Sequence, residues 1–352
     1  MGGLPRHLWF VVLAALLICA VPARADFPYG SPPDYNLGPG VTPNDLSQDS
    51  NDWKFAATAE ANSPYANSGP ELQGVRGAHV VDASPTVDTA WQSTVGRPDV
   101  AISVLDSGIR WDERNTMLDL RKKIRLNKGE LPTPNHDGPA LEPGVNCASY
   151  GTGNDQNGDG VFNVLDYLCD SRVSTNEPNS VGPTDLLDPQ DLIIAFENGQ
   201  DEDNNGFTDD IAGWDFLDND NDAYDDVHYG HGTGEAKDSS AEANNPAGQA
   251  GACPNCMVIP LRVGDSFVAD ENNFAQAVVY AVDNGVLVVQ EALGTLNHTE
   301  LADQAIDYAY RHGVAIIASA ADEAAQHHNW PSNSSHVIVV NSVNQYDLAA
   351  TP

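Results

Sequence analysis

Four short runs in the second half of the chain are apolar almost throughout: residues 258–263, 286–289, 314–318 and 337–340. A strand with one face in water alternates polar and apolar residues, whereas a strand without alternation is buried on both faces. Between these runs, residues 273–284 and 301–312 carry a helical period. In the first of them Phe274, Ala277, Val278 and Ala281 fall along one face. Buried strands separated by amphipathic helices of this length specify an α/β fold, a parallel sheet with helices on both faces. Residues 100–105 form an earlier run of the same kind and end at Asp106. Functional groups in such sheets gather at the carboxyl ends of the strands. Asp106, Gln290-Glu291 and Asp322 all follow strand-like runs directly.

The rest of the chain divides by texture. Arg6 and His7 precede an apolar run of about 14 residues, short of the roughly 20 a spanning helix needs, and Ala23-Arg24-Ala25 follows. Residues 1–25 therefore read as a signal peptide, with a secreted, extracellular product expected and no membrane association after cleavage. Residues 26–76 are rich in Pro, Gly, Asn, Ser and Asp and read as an extended leader. Residues 77–352 form one domain, interrupted at about 127–228 by a turn-rich acidic insert. The net charge of −35 argues against nucleic acid and anionic membranes as partners and favours cations. Of five cysteines, Cys19 leaves with the signal peptide. The other four are even in number in an exported chain, which points to disulfides in one of three connectivities. Locality favours Cys147–Cys169 and Cys253–Cys256. The spacing of Cys253 and Cys256 is also that of a redox or half-zinc motif, although no second such pair or paired histidines follow at zinc spacing.

Six motifs occur in a telling order. Ala101-Ile102-Ser103-Val104-Leu105-Asp106-Ser107-Gly108-Ile109 comes first, and Asp209-Asp210-Ile211-Ala212-Gly213-Trp214-Asp215-Phe216 follows. Gly230-His231-Gly232-Thr233 is next, then the strand from Cys253 to Val263. Tyr280 to Gly285 with Leu293-Gly294, and finally Ala318 to Glu323, complete the set. Together these resemble the subtilases, the subtilisin-like serine proteases, from about Trp91 onward. The resemblance implies a seven-stranded-type parallel sheet. It makes His231 the general base and Asp106 the group that orients and stabilises its imidazole. It also makes Ala292, Leu293 and Gly294 part of the substrate cleft. The family's serine motif is not reached before Thr351-Pro352, so the nucleophile is expected beyond the chain.

Three departures cluster on this site. Gly234 follows His-Gly-Thr where the family has histidine. Glu235, Lys237 and Asp238 fall where its helix is small and apolar, so those charges must be exposed or paired. Asp322 holds the oxyanion position in place of asparagine, and losing an amide donor there costs about 2.7–4 kcal/mol. An ionised Asp322 would repel the oxyanion, whereas a protonated one would donate, as the equivalent aspartate does in the related sedolisins. Glu235, one helical turn after His231, is a solvated carboxylate or an extra proton-handling group.

The insert carries calcium-loop spacing. Asp155, Asn157, Asp159, Asn163 and Asp166 take positions 1, 3, 5, 9 and 12 of an EF-hand-like loop, with Gly160 at 6 and Val161 at 7, where such loops use the backbone carbonyl. Asp201, Asp203, Asn205 and Asp209 repeat positions 1, 3, 5 and 9, with Ala212 at 12 and Asp210 as a substitute. Asp218, Asp220 and Asp222 begin a poorer third copy. The expectation is a calcium-stabilised endopeptidase acting on protein or peptide substrates by an Asp–His–Ser mechanism. The alternative is a catalytically silent relative used as a calcium-dependent binding module.

Overall fold

The computed structural model describes residues 96–340 apart from 184, 244, 246, 247, 249, 267 and 322–327. Residues 1–25 and 26–76, read from the sequence as a signal peptide and a leader, lie outside the described residues. Six strands form one parallel sheet: β1 (Ala101–Asp106), β2 (Trp214–Asp215), β3 (Met257–Arg262), β4 (Val288–Glu291), β5 (Ala315–Ser319) and β6 (Val337–Val340). Their order is β2-β3-β1-β4-β5-β6. Every residue of β1 and β3 is buried, which is what their unbroken apolar runs require. The sheet has six strands among the described residues where seven were expected.

Pro260 sits inside β3, where a proline would normally cost a ladder bond. Val258 N–H donates to the Lys123 carbonyl and the Arg262 carbonyl accepts from Phe216, so alternate residues of β3 face away from β1. Pro260 falls on that outer side, and β2 reaches β3 only at Leu261 and Arg262.

Among the described residues, five helices cover the two faces. On one lie α4 (Glu271–Asp283) and α5 (Glu300–Arg311), capped by Asp270 and Thr299 side chains. Their apolar stripes bury Phe274, Val278, Ala302 and Ile306 against Leu105, Leu261, Val289 and Ile316. On the other lie α1 (Arg114–Leu120), α2 (Pro189–Phe196) and α3 (His231–Ser240). There Ile102, Val104 and Val258 of the sheet meet Met117, Leu192, Ile193 and Ala236. The insert supplies much of this second core through Tyr167, Leu187 and Ile211, so it is folded structure rather than a solvated loop. Both local disulfides, Cys147–Cys169 and Cys253–Cys256, are present.

The boundary of β4 differs from the sequence reading. The strand from the run at 286–289 spans Val288–Glu291, because Val286 N–H still bonds the Ala281 carbonyl across a left-handed Gly285. Val286 therefore closes the end of α4, and Leu287 makes the first bonds to the neighbouring strands, donating to Ala101 and accepting from Ala315. The charged α3 is resolved by pairing: Lys237 Nζ lies 3.1 Å from buried Asp119, and Glu235 accepts from Gln290.

Candidate active site

Asp106 ends β1 at the centre of the sheet, 1% exposed, and His231 begins α3. Their meeting is built from the backbone up. Gly108 has a φ of +90°, and a Cβ there would sit 2.5 Å from the Ala223 carbonyl. That turn lets Ile109 exchange backbone bonds with Ala223 and Asp225, 2.9 and 3.1 Å, pinning the end of the acidic insert beside β1. Buried Asp225 then accepts from the amides of Tyr229 and Gly230, and Gly230 turns left-handed into α3. Gly232 packs so closely that a Cβ would fall 2.6 Å from the Gly108 carbonyl and 2.9 Å from Asp106 Cβ. The Gly232 amide bonds Ser107 Oγ at 3.1 Å. Only glycine fits at that position, which is the physical content of the His-Gly-Thr motif.

The result is a two-point contact: His231 Nδ1 lies 2.9 Å from Asp106 Oδ1 and 3.0 Å from Oδ2. A carboxylate has no proton to donate, so Nδ1–H is the donor and Nε2 is left as the ring's acceptor. Ser107 N–H holds Asp106 Oδ1 at 2.7 Å, and Tyr229 stacks on the imidazole with ring centroids 5.5 Å apart. Thr233 Oγ1 accepts from Arg110 N–H, tying α3 to the segment that follows the Gly108 turn. Such an arrangement can orient an imidazole as a general base and stabilise it once protonated.

The surroundings are acidic. Glu235 is half-buried one turn along α3, held by Gln290 Nε2. Burial, then the nearby Asp106, raises its carboxyl above the usual range, with His231 pulling the other way. Glu291, fully buried at the end of β4, is pushed well up by burial and by Asp106. Position alone flagged Gln290-Glu291 in the sequence; nothing there indicated that Glu291 would face no cation.

Of the residues expected to line a cleft, Leu293 is in the core at 2% exposure, and Gly294 lies against Asn329, whose Oδ1 would be 2.1 Å from a Cβ. Gly294 pairs with Val268, and its carbonyl accepts from Ala269 N–H. Ala292 is half-buried. Asp322 lies outside the described residues; Ala321 just before it is left-handed, with φ of +72°.

The insert gathers carboxylates. In the first loop Asp155 accepts from Gly158 and Gly160 N–H, and Asp166 accepts from Gln156, Asn157 and Asn163 N–H. Asn157 donates to Asp159 Oδ2, and Val161 N–H to Asp159 Oδ1. Burial pushes Asp166 up to about 7 and raises Asp159, with Asp155 adding to the latter. Backbone amides thus hold Asp166, Lys122 acts on Asp159, and Asp155, Asp159 and Asp166 do not form a group close enough to share an ion among the described residues. In the second loop the groups close enough to share an ion are Glu130, Asp203 and Asp210, and Glu130, Glu202 and Asp209. Glu130 and Glu202 were absent from the sequence reading; Glu130 lies 72 positions from Glu202 and outside the loop pattern. Asp201 accepts from Asn205 and Gly206 N–H, closing the loop. The third copy does not form: Asp218 bonds Arg262, and Asp222 accepts from Trp111 Nε1 and Gln190.

The sequence profile of the Subtilase family matches residues 97–351. A thermophilic serine proteinase of Bacillus sp. (strain AK1) is 35% identical over 142 residues, 40% of this chain and 35% of that protein. Thermitase of Thermoactinomyces vulgaris is 33% identical over 138 residues, 39% of this chain and 49% of that protein. The chain thus spans about half or less of the length of these relatives. The crystal structure of fervidolysin from Fervidobacterium pennivorans covers 86% of this chain and 32% of its own, at 16% identity and a TM-score of 0.43. With the family's profile spanning strands β1 to β6 and both members of the Asp106–His231 contact, this chain belongs to the subtilase family.

Proposed function

We propose that this chain carries the acid–base half of a secreted serine endopeptidase. The observation that carries the reading is the two-point bond from His231 Nδ1 to buried Asp106. In this reading His231 Nε2 takes the proton of a serine hydroxyl as its oxygen attacks the scissile carbonyl, then returns it to the leaving amine. Asp106 keeps the imidazole oriented and offsets its positive charge. The serine is supplied from beyond Pro352, and Asp322, which holds the oxyanion position in the family's motif, acts as a protonated donor. Ala292, Leu293 and Gly294 flank the extended substrate, a protein or peptide. Calcium held by Asp155, Asn157, Asp159, Val161, Asn163 and Asp166, and by Asp201, Asp203, Asn205 and Asp209 with Glu130, orders the insert whose end is pinned beside β1. A silent binding module is the second reading; it is favoured by the carboxyls at 235 and 291 around the pair.

The test is hydrolysis of a fluorogenic peptide by the protein translated from the complete reading frame, from pH 4 to 10. Asp106→Asn should lower turnover by about four orders of magnitude, and His231→Ala should do at least as much. Hydrolysis indifferent to His231→Ala would overturn the protease reading, and absence of hydrolysis across that range would favour the binding module.

A further inference from the structure

Glu291 closes β4 and is 1% exposed. Neither of its carboxyl oxygens has a hydrogen-bond partner. A buried carboxyl in that state is costly when neutral and far more so when charged. Its register neighbours, Leu105 on β1 and Ala318 on β5, offer only apolar side chains. The charged groups acting on it are Asp106 from β1 and Glu235 from α3, both acidic. The backbone amide of Leu293, outside hydrogen-bond geometry, opposes them in part.

The nearby cations are already engaged. Arg262, beside Asp106 in the sheet register, is bonded to Asp215, Asp218, Asp226 and Asp265. Lys237 of α3 is with Asp119, and His231 is with Asp106.

We propose that Glu291 is a positioning residue that limits this site on the alkaline side: the Asp106–His231 geometry holds only while Glu291 keeps its proton. Ionised, it would be an unpaired charge packed between the strand ends that carry Asp106 and the 292–294 segment. Water reaching it has to part those ends, because Leu105, its register partner, directly precedes Asp106. The functional meaning of this limit rests on the pair being a working catalytic site; the effect on the strand ends does not.

The test compares the full chain with its Glu291→Gln variant, which keeps shape and removes titration. An unfolded glutamate loses its proton near pH 4.3, and the folded one only later. The folded state therefore holds an extra proton over that interval, so its stability falls as pH rises. Urea unfolding from pH 5 to 8 should show the unfolding constant of the wild type growing relative to the variant, by up to roughly tenfold per pH unit. Nitrogen NMR of the His231 ring should show the Asp106 bond lost in the wild type at alkaline pH and kept in Glu291→Gln. Where the glutamine variant fails to fold, Glu291→Met gives the same comparison.

A stability ratio that does not change with pH would overturn the proposal. So would a His231 signal that persists in the wild type at a pH where its stability has already dropped relative to the variant. Neither readout involves peptide hydrolysis. A silent domain would still show both, and a failure here would leave the protease reading standing.

Discussion

Replacing Arg262 by methionine tests how the acidic insert is fastened to the sheet. The guanidinium is 3% exposed at the end of β3, with Nη1 2.6 Å from Asp215 Oδ2 and 2.9 Å from Asp218, and Nη2 2.6 Å from Asp226 and also bonded to Asp265. Asp218, Asp226 and Asp265 are about half exposed, so each of those pairs contributes only about 0–1 kcal/mol. Asp215 is different, because it is 1% exposed and removal of its partner strands a buried charge. That costs about 3–5 kcal/mol, which in a domain of this size is a fall in Tm of roughly 6–20 °C. The loss also depends on pH. Burial already holds Asp215 up to about 6 with Arg262 in place, and without the guanidinium it rises further. Below that point Asp215 takes a proton and the stranded charge disappears, so the deficit should shrink from pH 8 to pH 5. Calorimetry in saturating calcium measures this, and Asp215→Leu added to Arg262→Met should recover most of the loss at pH 8. A Tm within about 2 °C of wild type, or a deficit that ignores pH, would refute the reasoning.

Two further outcomes follow from the same geometry. Chelation should lower Tm, and calcium at about 100 times its dissociation constant should restore about 2.7 kcal/mol per site; titration calorimetry showing no uptake would contradict the loop assignment. Gly232→Ala places a Cβ 2.6 Å from the Gly108 carbonyl, so it should destabilise by about 1–3 kcal/mol and abolish hydrolysis in the complete protein. Wild-type turnover would contradict the packing argument.

The α/β class and most element positions were legible because buried parallel strands and one-faced helices leave distinct periods. The exceptions are physical. Val286 is as apolar as Val288 but spends its N–H on Ala281, which hydropathy does not reveal. Asp106 and His231 were singled out by the order of the motifs that contain them, and the structure adds why those motifs carry glycines: a Cβ at Gly108 or Gly232 would block the approach. Glu130 was not, because it reaches the second acidic loop from far away in sequence. Asp218 and Asp222 matched a calcium spacing, yet Arg262 and Trp111 are better placed to take their oxygens. Spacing records which groups are available; only packing decides which partner each one meets.

The account stands most directly on the tautomer of one ring. Long-range proton–nitrogen correlation of His231, at a pH where the ring is neutral, should show the proton on Nδ1 and a bare Nε2, and Asp106→Asn should abolish that preference. A neutral His231 carrying its proton on Nε2, or a ring unaffected by Asp106→Asn, would contradict it.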